Sequence, residues 1–484
     1  MERTGPTAER STALATRDAV AAILNGKRAL LLLALAGCRL ASANDLIDLY
    51  RLALNRDAVL QAAIHQRDAT IEARPQALAQ LLPQLSASAN AAREREGLQT
   101  GGQSPLGPTN QVTNCTLASS QQTQTCYTDV HGYGLTLSQT LWSFQSFNQL
   151  KEANFIAAGA EATLLAAQQA LLLRVATAYF GILSARDQLV TAQQAREAFG
   201  TLLSQAQTRE RIGISPRSDV AEAQAFYDGR EQSVIDAKNA LDDAELALTE
   251  IVGTHTPDVA PLQESIPLTS PDPASVEAWV TSAKQDNPAV RAAQLQTEAA
   301  DRDIGVQRGK GLPTLTLNGS TTHTWQDLTF GGNTSMDSVG ISFTWPLFQS
   351  GAVASQVRQA RATYRQSLSL YDTAQRDAER QTRAAYRGVV TGIARIAAAR
   401  RAVESGRASV EASQRNVEFG TGSVFDLLTQ QTNYYAAQSA YSQTRYDYLT
   451  ALLTLKQLAG NIAEHDLEVI DGLLVEQQRD GAGK

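Results

Sequence analysis

Two hydrophobic patterns alternate along this chain. Leu315 and Leu317 alternate with Thr314, Thr316 and Asn318, and Val339, Ile341, Phe343, Trp345 and Leu347 alternate with Ser338, Gly340, Ser342 and Thr344. Tyr133, Leu135, Leu137 and Leu141 stand against Gly134, Thr136, Ser138 and Thr140 in the same way, and a strand-like stretch runs from Pro83 to about Arg93. A period of two with one apolar and one small polar face predicts strands with different surroundings on their two sides. The other pattern is helical. Proline-free runs from about Phe147 to Ile212 and from about Ala352 to Phe419 each predict a helix on the order of 100 Å long. Gly213 and Gly420 stop them, and helices over about Asp219–Ile251 and Val424–Leu458 return antiparallel. Asp45–Asn55 is amphipathic, and Val59–Leu81 continues as helix.

The elements come twice. Ala178-Tyr179, Gly213, Ser218-Asp219-Val220 and Ile251-Val252-Gly253 are matched 207 residues later by Ala385-Tyr386, Gly420, Phe425-Asp426-Leu427 and Leu458-Ala459-Gly460. Leu82-Pro83-Gln84-Leu85 recurs as Leu312-Pro313-Thr314-Leu315. Such a period is far beyond the roughly 20–50 residues of a solenoid repeat and reads as a duplicated half-protein. The expected organisation is a first structural repeat over 44–256, a Pro-rich linker over 257–273, a second repeat over 274–475 and a disordered tail over 476–484.

Four two-faced strands set between very long helices do not make a soluble sandwich. They fit an outer-membrane barrel, with apolar side chains facing lipid and small polar ones facing a lumen. Trp142, Trp325 and Trp345 lie near strand ends, where interfacial aromatics belong. Four strands are too few to close a barrel, because about eight is the smallest number, and open edges are not tolerated in lipid. Several chains must pool their strands. The Gly, Ser and Thr inner faces call for an open lumen, which favours three chains and twelve strands over two chains and eight. Charged residues punctuate both long helices, and no segment after the leader has eighteen apolar residues in a row, so the expected membrane element is the strand.

Composition changes the picture mainly at the N-terminus. Lys27-Arg28, the apolar run Ala29–Gly37 and Ala41-Ser42-Ala43 form a secretory signal over 1–43 with cleavage after Ala43. Leu35-Ala36-Gly37-Cys38 offers lipidation at Cys38 as the alternative. The net charge of −7 becomes about −10 once the leader's six basic and three acidic side chains are removed, which gives no basis for nucleic-acid binding. Few aromatics (6%) and three cysteines suit an exported, helix-rich chain.

The chain resembles the TolC-type outer-membrane channel family over essentially all of its mature length. The stretches that carry the resemblance are Asn44–Leu54, Leu81–Leu85, Ala176–Phe180, Leu312–Leu315, Val339–Leu347, Gly420–Gln431 and Arg445–Gly460. The resemblance implies an α+β membrane protein: a homotrimeric twelve-stranded barrel in outer-membrane lipid, continued by a long periplasmic α-helical barrel. It also implies docking to a periplasmic membrane-fusion adaptor and an inner-membrane transporter. The start at Asn44 and the terminal Glu464–Leu474 resemble the type I secretion branch more than the drug-efflux lipoproteins.

On that resemblance the two inter-helix turns form the periplasmic tip. Asp219 and Asp426 would place six carboxylates around one opening in a trimer, a ring that attracts cations. The plainer reading makes each an acid at a helix N-terminus, and both roles can hold together. Ser218 and Asp219 match the acceptor side of the family's tip lock. Gly422 stands where the family has an arginine, Thr429 where it has a second acid beside Asp426, and Val417 where it often has a tyrosine. Arg217 or Arg415 is left as a substitute for the missing arginine. Gly213, Ile214, Ser215 and Pro216, with Thr421, Gly422 and Ser423, are the expected adaptor contacts. Cys115 and Cys126 share one long extracellular loop and are a candidate disulfide.

No catalytic constellation emerges. The five histidines are scattered, and Gly305–Gly311 is one residue short of a phosphate loop and lacks its Ser/Thr. No cofactor, metal site or enzymatic activity is expected, so the energy for transport must come from a partner. The leading expectation is the passive exit duct of a type I secretion system, with an ABC transporter as partner and an exported polypeptide, such as a haemolysin- or cyclolysin-type toxin, as cargo. A drug or metal efflux component working with a proton-driven pump is the alternative, and a non-transporting coiled-coil scaffold is a third.

Overall fold

The computed structural model describes residues 46–99, 115–117, 123–254, 259–326 and 332–475. The expected leader with Cys38 and Ala43, and the tail from 476 on, lie outside these residues. In chain order the elements are α1 (Leu46–Arg56), α2 (Ala58–Ile71), α3 (Ala73–Ala79), β1 (Gln84–Gln99), β2 (Cys115–Leu117), β3 (Thr123–Ser143), α4 (Phe144–Arg211), α5 (Arg217–Val252), α6 (Val276–Asp286), α7 (Pro288–Gly309), β4 (Thr314–Gln326), β5 (Gly332–Thr344), α8 (Ala352–Glu418), α9 (Val424–Leu458) and α10 (Glu464–Asp471).

The four expected strands form one antiparallel sheet in the order β1-β3-β4-β5, and among the described residues a short fifth strand, β2, pairs with β3 alone. β1 and β3 run well past the apolar alternation. Their pairing continues through polar residues up to Gln99 opposite Thr123. Backbone hydrogen bonding, not side-chain pattern, carries the strands there.

Packing divides the chain into two compact units. One comprises Val175–Pro267 with the segments up to Ala53 and from Glu464 on. Its core includes Leu46, Leu49, Tyr179, Phe180, Ile182, Phe199, Leu248, Val252 and Leu467, all buried. Tyr179 donates to the Ala260 carbonyl (2.8 Å), and the Leu46 N–H donates to Asp471 (2.9 Å). The other unit comprises Leu54–Arg174 and Leu268–Ala463 and holds the whole sheet. Tyr386, 207 residues after Tyr179, likewise donates to a backbone carbonyl, that of Ala274 (2.6 Å). The duplicated Ala-Tyr motif is thus a matched pair of tyrosine anchors. A buried carboxylate, Asp57, caps α2 through the Leu60 N–H (2.7 Å) and accepts from both terminal guanidinium nitrogens of Arg174 (2.7 and 3.3 Å). A buried charge persists only when paired and hydrogen-bonded in this way.

The long helices pack at glycines. Gly200 of α4 lies against Tyr227 of α5, and Gly406 of α8 lies against Tyr434 of α9. The two tyrosines are again 207 residues apart. Phe199 stacks on Phe226, 5.9 Å between centroids. Gly388 and Gly392 meet Ala451 and Tyr448 farther along α8 and α9. Without a side chain at these positions the helix axes approach closely.

One expectation needs correcting. Part of α4 is apolar enough, by length and composition, to cross a membrane, so charge punctuation alone does not exclude a helical span. The reason is alanine, which raises apolarity while serving as a helix former. At 68 residues the helix far exceeds the roughly 20 that a span needs; Leu171 and Leu172 are buried, but only 17% of the apolar stretch is.

Candidate channel wall and inter-helix turns

The sheet register sorts side chains into two faces. Leu85, Leu137, Gly319 and Val339 form one row, followed on the same face by Leu317 with Ile341 and by Leu315 with Phe343. A bulge between Thr140 and Trp142 brings Trp142 opposite Leu315, where simple alternation would place Leu141. Val339 is 85% exposed, and Ile341, Phe343, Leu347 and Phe348 are also exposed. So large a bare apolar band on a folded protein marks contact with lipid or another chain. At its upper end Tyr133 contacts His323 and Trp325, with ring centroids 5.0 and 5.4 Å apart. Ring-bearing side chains with a polar edge settle at a membrane–water boundary.

The opposite face is small and polar. One row is Ser86, Thr136, Ser320 and Ser338, and another is Asn90, Gly132, Thr324 and Thr334. Ser320 and Ser338 share a hydrogen bond of 2.8 Å. Such a surface stays wetted, because its hydroxyls bond water as readily as one another. Among the described residues β1 and β5 each have a single neighbour, so both edges offer unpaired backbone groups.

The two inter-helix turns are near copies. After α4, Gly213 (φ +78°) lets its own N–H bond the Glu210 carbonyl and the Ile214 N–H bond that of Arg209, both at 2.9 Å. After α8, Gly420 (φ +73°) bonds Val417 (3.2 Å) while Thr421 bonds Asn416 (2.9 Å). Both follow the Schellman pattern, in which the glycine adopts the left-handed conformation that closes the helix. Asp219 and Asp426 then occupy the third position of α5 and α9. Neither is the N-cap. Pro216 precedes α5, and Ser423 caps α9 by accepting from the Phe425 N–H (3.0 Å). The acids therefore stand in the helix first turns, where the macrodipole favours them, with their carboxylates available for another role.

Around Asp219, the Ser218 hydroxyl donates to its carboxylate (3.4 Å), while Arg217 turns to Glu210 (3.4 Å). Arg415 donates to the Glu411 carbonyl within its own helix (3.2 Å), and Thr429 to that of Phe425 (2.9 Å). The two turns belong to different compact units, and each acid is placed in its own turn.

At Gly422 a Cβ would lie 2.7 Å from the Asn416 Cβ and 3.2 Å from its carbonyl carbon. The arginine implied there is thus excluded from this turn conformation as well as absent. Gly422→Ala is expected to open the turn at a cost of about 1–2 kcal/mol. Amide hydrogen exchange over 419–426 should quicken with the rest of α8 unchanged, and unaltered exchange would refute the clash.

Sequence reasoning identified Ile214 at the turns but missed Phe419. Ile214 is 72% and Phe419 80% exposed, and Ile212 and Phe425 are exposed as well. The signal was apolar residues flanking each glycine in an otherwise polar stretch.

Glu152 lies near the sheet end of α4. Burial first, and the negative charge of Asp303 second, push its carboxyl from 4.5 up to about 7. A carboxyl raised on folding stabilises the native state below its unfolded value, and that contribution is lost as pH rises through the folded value. Because the group is only half-buried, the effect is on the order of 1–2 kcal/mol. Glu152→Gln should raise the helical melting temperature at pH 8 and leave it unchanged at pH 4; equal shifts at both would exclude titration of this group.

Comparison with known proteins places these features together. The profile for outer membrane efflux proteins matches residues 49–254 and 279–461. The chain is 29% identical over 439 residues to outer membrane protein TolC of Vibrio cholerae, covering 90% of this chain and 94% of that one. It is 30% identical over 436 residues to the alkaline protease secretion protein AprF of Pseudomonas aeruginosa, covering 89% and 87%. The Campylobacter jejuni CmeC outer membrane channel superposes with a TM-score of 0.73 at 18% identity, covering 90% of each chain.

Proposed function

The chain belongs to the outer membrane efflux protein family, and we propose that it is the passive outer-membrane exit duct of a type I protein secretion system. As a family member it is a channel of the outer membrane and not an enzyme. The observation that carries the channel reading is the two-faced sheet with two open edges. Lipid does not tolerate those edges, and joining β5 of one copy to β1 of the next closes them. Three copies give twelve strands and a lumen lined by the Ser, Thr and Gly face. The likeness to a protease secretion protein supports a polypeptide as cargo, which needs that wide, wetted lumen. A periplasmic adaptor would seat against the exposed Ile212, Ile214 and Phe419 at the turns, and an inner-membrane ABC transporter would supply the energy.

The second reading is efflux of drugs or metals, favoured by the family's general description. The test uses cells lacking their own outer-membrane channel. Expressed with a type I exporter, its adaptor and a polypeptide cargo, the protein should release cargo into the medium. Restored drug tolerance with a proton-driven pump, without any cargo release, would favour efflux and overturn secretion.

A further inference from the structure

We propose that Cys115 and Cys126 form a disulfide that holds β2 in the sheet. β2 pairs antiparallel with β3 so that Cys115 stands opposite Cys126, Thr116 opposite Thr125 and Leu117 opposite Gln124. Residues directly opposite in an antiparallel pair have Cα atoms about 4.5–5.5 Å apart, inside the roughly 4.4–6.8 Å range a disulfide requires. On its other side Cys126 stands opposite Glu96 of β1. At this level the sheet is therefore β1-β3-β2, and β2 takes the side of β3 that β4 occupies up to Gln326.

The thiol inventory leaves these two to each other. The chain has three cysteines, and the third is Cys38 in the leader. Cleavage after Ala43 removes it, and lipidation would consume its sulfur as a thioether. Either way the mature chain keeps two thiols, and the fold places their residues opposite one another.

The bond has work that backbone pairing cannot do. β2 is three residues long and, among the described residues, has only β3 as neighbour, and so short a pairing is not stable by itself. Covalent closure removes the freedom of the open chain and fixes the register. The reaction is a two-electron oxidation. Both thiols lose their protons, the S–S bond forms, and the disulfide of a periplasmic thiol–disulfide oxidoreductase takes the electrons and protons to become a dithiol.

The test uses the full-length protein from outer membranes, denatured and alkylated without reductant. No Lys or Arg lies between Arg95 and Lys151, so trypsin leaves both cysteines in one peptide. That peptide should be unalkylated and lighter by two hydrogens than its reduced form. A further chymotryptic cut after Leu117 should leave two halves that separate only on reduction. Two alkylated cysteines in the unreduced sample, or covalent dimers that vanish on reduction, would overturn the proposal. The double variant Cys115→Ser/Cys126→Ser should insert and conduct as wild type, yet be cut near β2 by protease added to whole cells at least tenfold faster. Equal cleavage rates would remove the role assigned to the bond.

Discussion

Ile341→Arg should prevent assembly of the membrane-inserted barrel, whereas Ser342→Arg, one residue along the same strand, should leave it assembled. Ile341 stands opposite Leu317 on the apolar face, and Ser342 opposite Thr316 on the polar face. An arginine facing lipid costs up to about 2–4 kcal/mol, the full value at the bilayer midplane and less towards its surfaces, and in a ring of three copies each copy bears that cost. The neighbouring arginine would enter a wetted lumen and lose little hydration, so its effect should be confined to conductance. Membrane fractionation followed by gel migration without heating separates the outcomes. If both variants assembled equally, or Ser342→Arg were the damaging one, the assignment of faces would be wrong.

The second large effect concerns the turns. Asp219→Asn with Asp426→Asn should lower the preference for cations over anions several-fold at low salt. In the ring that the family resemblance implies for a trimer, six carboxylates around one opening would focus a negative potential. Both acids are third in their helices and cap nothing, so asparagine loses only a macrodipole contribution of about 0.3–1 kcal/mol and the turns persist. The difference should vanish near 1 M salt, where screening acts within about 3 Å. Ser423→Ala removes the α9 cap and is the control, because it should loosen the turn without changing selectivity. An unchanged permeability ratio at low salt in the double variant would separate these acids from the opening.

Much of this architecture was legible in the sequence where one rule acted alone. Val424–Leu458 is a helix with the boundaries expected for it, because a capping serine and an apolar-rich stretch agree with each other. Gly213 and Gly420 were legible because left-handed backbone selects glycine. Other features depend on partners distant in the chain. Asp57 and Arg174 pair across 117 residues, and nothing near either residue announces it. The extension of β1 and β3 to Gln99 and Thr123 has no alternation to reveal it. The Trp142 bulge breaks the period that sequence reading relies on. Gly422 reads simply as a turn glycine until Asn416 is seen to fill the space a side chain would need. The candidate site was visible as residue types, while its geometry came from register.

The most direct test of the account is conductance of the purified protein in a planar lipid bilayer, with its native mass measured in the same preparation. The account predicts a mass of three copies and stepwise, cation-preferring conductance without nucleotide. A three-copy assembly that inserts yet conducts nothing, even with both turn acids replaced, would contradict it.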